Sequence, residues 1–102
     1  MARYEWDAGN TAHIAVHSVT TTECEEAIED PRRVPADAHE VDGEVRAAFI
    51  GATSKDRVLR VVFTLRGGAV RVVTAHDASR RQARDYPAAV PPAEPIEEDD
   101  DD

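Results

Sequence analysis

The sequence predicts one small α+β domain, and three observations predict it. Two polar-capped, helix-periodic segments occupy the stretch before residue 30, and three alternating segments follow between about residues 46 and 75. A Gly67-Gly68 pair joins the last two of these. A chain of 102 residues has room for a single domain. From Pro87 onward it reads PAAVPPAEPIEEDDDD, too poor in apolar surface to offset the entropy of ordering. Residues 1–86 are therefore expected to fold, and 87–102 to form a disordered, proline-rich acidic tail.

Taken in order, Arg3-Tyr4-Glu5-Trp6 alternates polar and aromatic residues as an edge strand would. Asp7 stands where a helix N-cap belongs, with a helix expected from about Ala8 to His17 carrying Ala12, Ala15 and Val16 at helical spacing. Thr22 and Glu25 form the T-x-x-E pattern of a capping box for a second helix. Cys24, Ala27 and Ile28 make its apolar stripe, Glu23, Glu25, Glu26 and Glu29 its wet faces, and Pro31 its end. The stretch from Pro31 to Glu44, with Pro35, Asp37, Asp42 and Gly43, reads as mostly loop.

Strands are expected at about Arg46–Thr53, Val58–Arg66 and Ala69–Ala75, giving a sheet of three strands, or four with the N-terminal segment. Glycine tolerates the positive φ angles of a two-residue hairpin turn, so Gly67-Gly68 sets a register with Arg66 opposite Ala69 and Thr64 opposite Arg71. Alternation then puts Leu59, Val61, Phe63, Leu65, Val70 and Val72 on a face for the helices to cover. Arg60, Val62, Thr64, Arg66, Arg71 and Val73 fall on the other face, while His76 falls on the core-facing parity. A three-residue turn at Ser54-Lys55-Asp56 would place Arg46 opposite Thr64, and a two-residue turn would flip it away; both remain open. A last helix is expected from about Ser79 to Tyr86, capped by Ser79 and carrying Arg80, Arg81 and Arg84.

The net charge of −9 conceals a division. Residues 1–44 hold 3 basic and 11 acidic side chains, residues 45–86 hold 9 basic and 3 acidic, and the tail holds 7 acids and no base. A locally basic half can attract phosphates although the whole chain is anionic. Cys24 stands alone, so no internal disulfide is expected and a reducing cytoplasm is the natural location. The N-terminus lacks the apolar stretch of a signal peptide, and no run approaches the roughly 20 apolar residues of a bilayer span. Lys55 is the single lysine against eleven arginines, a bias typical of GC-rich bacterial genomes.

The first half carries Tyr4-Glu5-Trp6-Asp7, Asn10, His13-Ile14-Ala15, His17 and Val19, followed by Arg46, Gly51, Val61-Val62-Phe63-Thr64 and Gly67. Arg71-Val72-Val73-Thr74-Ala75 and Ser79 through Tyr86 complete the pattern. In this order, over about residues 3–86, the chain resembles the BrnT family of ribonuclease toxins. The resemblance implies a RelE-like architecture, with an antiparallel sheet packed against two N-terminal helices and one C-terminal helix. It also implies metal-independent RNA cleavage, held in check by a BrnA-like antitoxin. Four positions depart from the family pattern: Val16 for a basic residue, Ser18 for glycine, His76 for arginine and Gln82 for a carboxylate.

Cleaving RNA without a metal requires the 2′-hydroxyl to lose a proton, the 5′-oxygen to gain one and the phosphorane charge to be stabilised. Histidine suits the proton transfers, and the planar fork of arginine matches two phosphate oxygens. Arg46, Arg71 and His76 are the expected catalytic residues, with His13 and His17 as further acid or base candidates. Arg60, Thr64, Arg80, Arg81 and Tyr86 are the expected RNA contacts, Tyr86 also serving to pack the last helix. His13 and His17 share an i, i+4 helix face that can hold a metal, but no third ligand is evident, so no metal and no other cofactor is expected. The alternative function is a catalytically inactive, toxin-derived interaction module, favoured by Val16, Ser18, His76 and the acidic tail.

Overall fold

In the computed structural model, which describes residues 3–84 and 86, two helices precede a sheet and a short helix follows it. These are α1 (Ala8–Ala15), α2 (Thr21–Glu29), β1 (Val34–Val41), β2 (Glu44–Ala52), β3 (Val58–Arg66), β4 (Ala69–Asp77) and α3 (Arg80–Ala83). The strands form an antiparallel sheet in the order β1-β2-β3-β4. The expected tail, 87–102, lies outside the described residues.

Asp7 caps α1 in a reciprocal box: its carboxylate accepts from the Asn10 N–H, and the Asn10 side-chain oxygen accepts from the Asp7 N–H. The helix stops two residues short of the expected His17. Val19 N–H reaches back to the Ile14 carbonyl and Ser18 N–H to that of Ala15, with Ser18 left-handed at φ 59°. This is the Schellman termination, whose left-handed residue is ordinarily glycine. The same position is the one at which the BrnT-like pattern carries glycine.

The capping box of α2 lies two residues earlier than expected, at Thr20 and Glu23 instead of Thr22 and Glu25. Both T-x-x-E patterns are present, and burial chooses between them. With Thr20 as cap, the preceding Val19 and the fourth helical residue Cys24 are both apolar and both enter the core, the hydrophobic staple that fixes a helix entry. Cys24, Ala27 and Ile28 form the buried stripe as expected, and burial pushes the Cys24 thiol up to about 12. The acidic residues beside the stripe are not simply wet. Glu23 meets Arg57, Glu25 accepts from the Trp6 indole, Glu26 from the Ser54 N–H and Glu29 from the Tyr4 hydroxyl.

The stretch read as loop contains β1. Pro35 through Glu40 are exposed, so no alternation marks the strand. It is an edge strand wet on both faces, interrupted by a bulge between Pro35 and Ala38, and such devices suit an unpaired edge. Asp42-Gly43 is the signal that could have found it. Both residues have positive φ, 51° and 82°, and Val41 pairs with Glu44 across a two-residue turn of the Asp-Gly type.

The turn after β2 settles the open register. Ala52 pairs with Val58 and Thr53 N–H reaches the Arg57 carbonyl, which closes a three-residue turn and aligns Arg46 with Thr64. The Gly67-Gly68 turn, with φ of 60° and 81°, places Thr64 opposite Arg71 and Arg66 opposite Ala69 as the sequence implies. A bulge then interrupts β4: Phe63 pairs with Val72 but Val62 with Thr74, leaving Val73 as the extra residue. Parity reverses beyond it. Ala75, opposite Val61, is fully buried, and His76 lies opposite Arg60 on the other face, not on the core-facing parity expected of it.

Leu59, Val61, Val72 and Ala75 pack against Ile14, Val19, Cys24, Ala27 and Ile28 to form the core. Gly51 lets α2 approach β2 closely, since a Cβ there would stand 2.1 Å from the Ala27 carbonyl oxygen. The helices do not reach the far end of this face, so Leu65, expected in the core, is 67% exposed. The expected N-terminal strand is reduced to a parallel bridge between Tyr4 and Val70. Next along that edge, the Asn10 amide donates to the Val72 carbonyl, so the outer edge of β4 is partly satisfied. The last helix is one turn long, and beyond it Tyr86 is buried with its hydroxyl donating to Asp30.

Candidate nucleic-acid interface

Arg46, Thr64 and Arg71 form a row across β2, β3 and β4 because a three-residue turn and a two-residue turn hold neighbouring strands in matching register. The row lines a shallow cleft of about 300 Å³ together with Arg66, Glu44 and, from α1, His13. Helix α1 places His13 there because it runs beside β4, held by its Asp7 cap and by the Asn10 bond to Val72. Thr64 is 3% exposed, and its hydroxyl donates to the Val45 carbonyl.

The guanidinium groups are laced to carboxylates the sequence did not point to. Arg71 contacts Asp7 at 2.9 Å and Glu5 at 3.5 Å; Arg66 contacts Glu44 at 3.1 Å and Glu5 at 4.0 Å; Arg46 contacts Glu44 at 3.3 Å. The result is a continuous chain of alternating charge from Asp7 to Arg46. Hydrogen bonding from Arg71 holds the Asp7 carboxyl below its usual range, and hydrogen bonding from Arg66, then Arg46, does the same for Glu44. Asp7 and Glu5 read from sequence as a helix cap and an edge-strand residue. Only the tertiary contact with a strand some sixty residues later pairs them with an arginine of the cleft.

The other expected site residues lie apart. Arg60 and Arg81 line a second cleft, of about 310 Å³, with Asp37 and Gln82 on its rim. His76 shares the register of Arg60, and its ring stands 5.9 Å from that of His17, which is in turn 6.4 Å from His13, between centroids. Arg80 is exposed on α3. Tyr86, expected to stack on RNA, is 1% exposed, so its ring packs and offers no face to a base. Burial, followed by the hydrogen bond to Asp30, pushes the Tyr86 phenol up to about 12. Gln82, the departure from a carboxylate, completes a capping box with Ser79. Among the described residues no group of three or more His, Cys, Asp or Glu is placed to hold a metal ion. No helix of those residues is long and apolar enough to cross a membrane.

The chain is a small α+β protein whose arginines from three strands and a helix histidine line one cleft of the sheet. Residues 6–82 match the family model for the ribonuclease toxin BrnT of type II toxin-antitoxin systems, and the chain belongs to that family. It is thus a member of a ribonuclease toxin family whose systems pair toxin with antitoxin. Among curated proteins none gives a significant match.

Proposed function

We propose that the protein is a metal-independent endoribonuclease toxin that cleaves RNA in the Arg46–Thr64–Arg71 cleft and is neutralised in the bacterial cytoplasm by a BrnA-like antitoxin. The observation that carries this is the convergence of three arginines from three strands with His13 on one cleft. Arg46 and Arg71 bind the scissile phosphate and stabilise the charge that grows on it. His13 accepts the 2′-hydroxyl proton as the 2′-oxygen bonds to phosphorus. The bond from phosphorus to the 5′-oxygen breaks, and the proton returns to that oxygen, leaving a 2′,3′-cyclic phosphate. The proton-transfer role assigned to His76 from sequence passes to His13, because His13 and not His76 lines the cleft. Arg60, Arg80 and Arg81 extend the basic surface beyond the cleft.

One observation favours the second function, a catalytically inactive interaction module: each guanidinium lining the cleft is already paired with a carboxylate. Inducible expression in bacteria separates the two. For a toxin, the wild type arrests growth and fragments RNA, and the purified protein cleaves RNA in EDTA, while Arg71→Ala does neither although its circular dichroism is unchanged. If the wild type leaves both growth and RNA intact yet binds the antitoxin, the interaction module is the function and the ribonuclease is lost.

A further inference from the structure

The second cleft has the makings of a nucleobase pocket. Its wall is apolar along Val34, Pro35 and Ile50, and its rim is polar at Asp37, Arg60, Arg81 and Gln82. An apolar slot with a few fixed donors and acceptors is the usual form of a small-ligand site, and a base presents a flat face and a polar edge to match. Its polar members are fixed by their neighbours. Asp37 Oδ1 lies 2.7 Å from Arg60 Nη2, and the Gln82 oxygen accepts from the Ser79 N–H at 2.8 Å, leaving the Gln82 amide NH₂ to donate. Arg81 makes no ion pair among the described residues.

Position links this cleft to the first. Arg60 and Thr64 are four residues apart on β3 without an interruption of that strand, so they share a sheet face. Their separation is roughly 13 Å, at about 3.3 Å per residue. A single strand whose phosphate lies on the Arg46–Thr64–Arg71 row would therefore carry a neighbouring nucleotide to the second cleft.

We propose that the Ile50–Arg60–Arg81 cleft is a subsite for a base of single-stranded RNA flanking the scissile phosphate, and that Asp37 selects bases bearing an exocyclic amino group. This rests on the first cleft being the phosphate site. Asp37 can only accept, so it welcomes the amino group of cytosine, adenine or guanine and meets the O4 of uracil with repulsion.

The test is fluorescence anisotropy on the full chain at one fixed salt concentration, using 2′-O-methyl oligonucleotides that cannot be cleaved. A hexamer is expected to bind about tenfold more tightly than a dinucleotide, the gain of one added base contact. Arg81→Ala, an exposed position, removes that gain and weakens the hexamer far more than the dinucleotide. Hexamers rich in cytosine outbind oligouridine on the wild type, and Asp37→Asn, which can also donate, erases the difference. If Arg71→Ala abolishes binding but Arg81→Ala and Asp37→Asn alter neither length nor base dependence, the subsite is refuted and the phosphate site stands. If no oligonucleotide binds, both fall. If Arg81→Ala spares RNA and abolishes antitoxin binding, the cleft is a protein-docking surface and the subsite is overturned.

Discussion

Arg71 donates to both carboxylate oxygens of Asp7, Nη1 to Oδ2 at 2.9 Å and Nη2 to Oδ1 at 3.4 Å, across 64 positions of sequence. The same Asp7 caps α1, so one side chain orders the helix that carries His13 and neutralises the arginine beside it. A phosphate entering the cleft must compete with that carboxylate.

Asp7→Asn therefore separates the two roles. Asparagine still caps, since its side-chain oxygen can accept from the Asn10 N–H. RNA affinity is expected to rise severalfold at low salt, with the advantage shrinking as salt screens the competing charge. Anisotropy titrations across a salt series check this; equal affinities at every salt would show that Asp7 does not compete.

His13→Gln is expected to lower the cleavage rate by about 10²- to 10⁴-fold, the usual worth of a positioned acid–base group. His76→Gln, altering a residue outside the cleft, is expected to retain most activity. Single-turnover cleavage of a defined RNA over pH 5–8 gives the comparison. A larger loss in His76→Gln than in His13→Gln would reverse the assignment.

Ser18 adopts φ 59° in the Schellman termination of α1 without the freedom of glycine. A non-glycine residue there costs about 1–2 kcal/mol, partly offset by the larger unfolded-state entropy of glycine. Ser18→Gly is expected to stabilise the fold by roughly 0.5–1 kcal/mol. That corresponds to a rise in Tm of a few degrees in a domain of this size, read by differential scanning calorimetry.

Arg57 joins α1, α2 and β4 by donating to the His17 and Ser18 carbonyls, Glu23 and Asp77. Removing such charged hydrogen bonds, discounted for the exposure of Asp77, should cost about 1–2 kcal/mol at neutral pH in Arg57→Ala. The Glu23 carboxyl is held below its usual range by the Thr20 N–H and then by Arg57, and that of Asp77 by Arg57. Carboxylates with depressed values stabilise the fold above their unfolded pKa and cease to do so as pH falls through the folded one. The gap between wild type and Arg57→Ala in urea melts should thus be full near pH 7 and close below about pH 4. A gap unchanged at pH 3 would show that the ion pairs contribute little.

Much of the fold was legible where local chemistry is decisive. The cap at Asp7, the stripe Cys24–Ala27–Ile28 and the Gly67-Gly68 turn each depend on neighbours within a few residues, and Thr64 accordingly faces Arg71. The edge strand β1 was missed because a strand exposed on both faces has no alternation to read, although Asp42-Gly43 marked its turn.

By itself, then, the sequence determined the α+β class, the helix that carries His13 and the arginine pairing across the last hairpin, since these follow from periodicity, capping and turn chemistry. Tertiary structure decided what those residues meet. The three-residue turn brought Arg46 into the row, the bulge at Val73 turned His76 from the core parity, and folding set Glu5, Asp7 and Glu44 against the arginines. Register shifts and charge pairs between distant segments arise only when the chain closes on itself, because their energies depend on neighbours that no local pattern names.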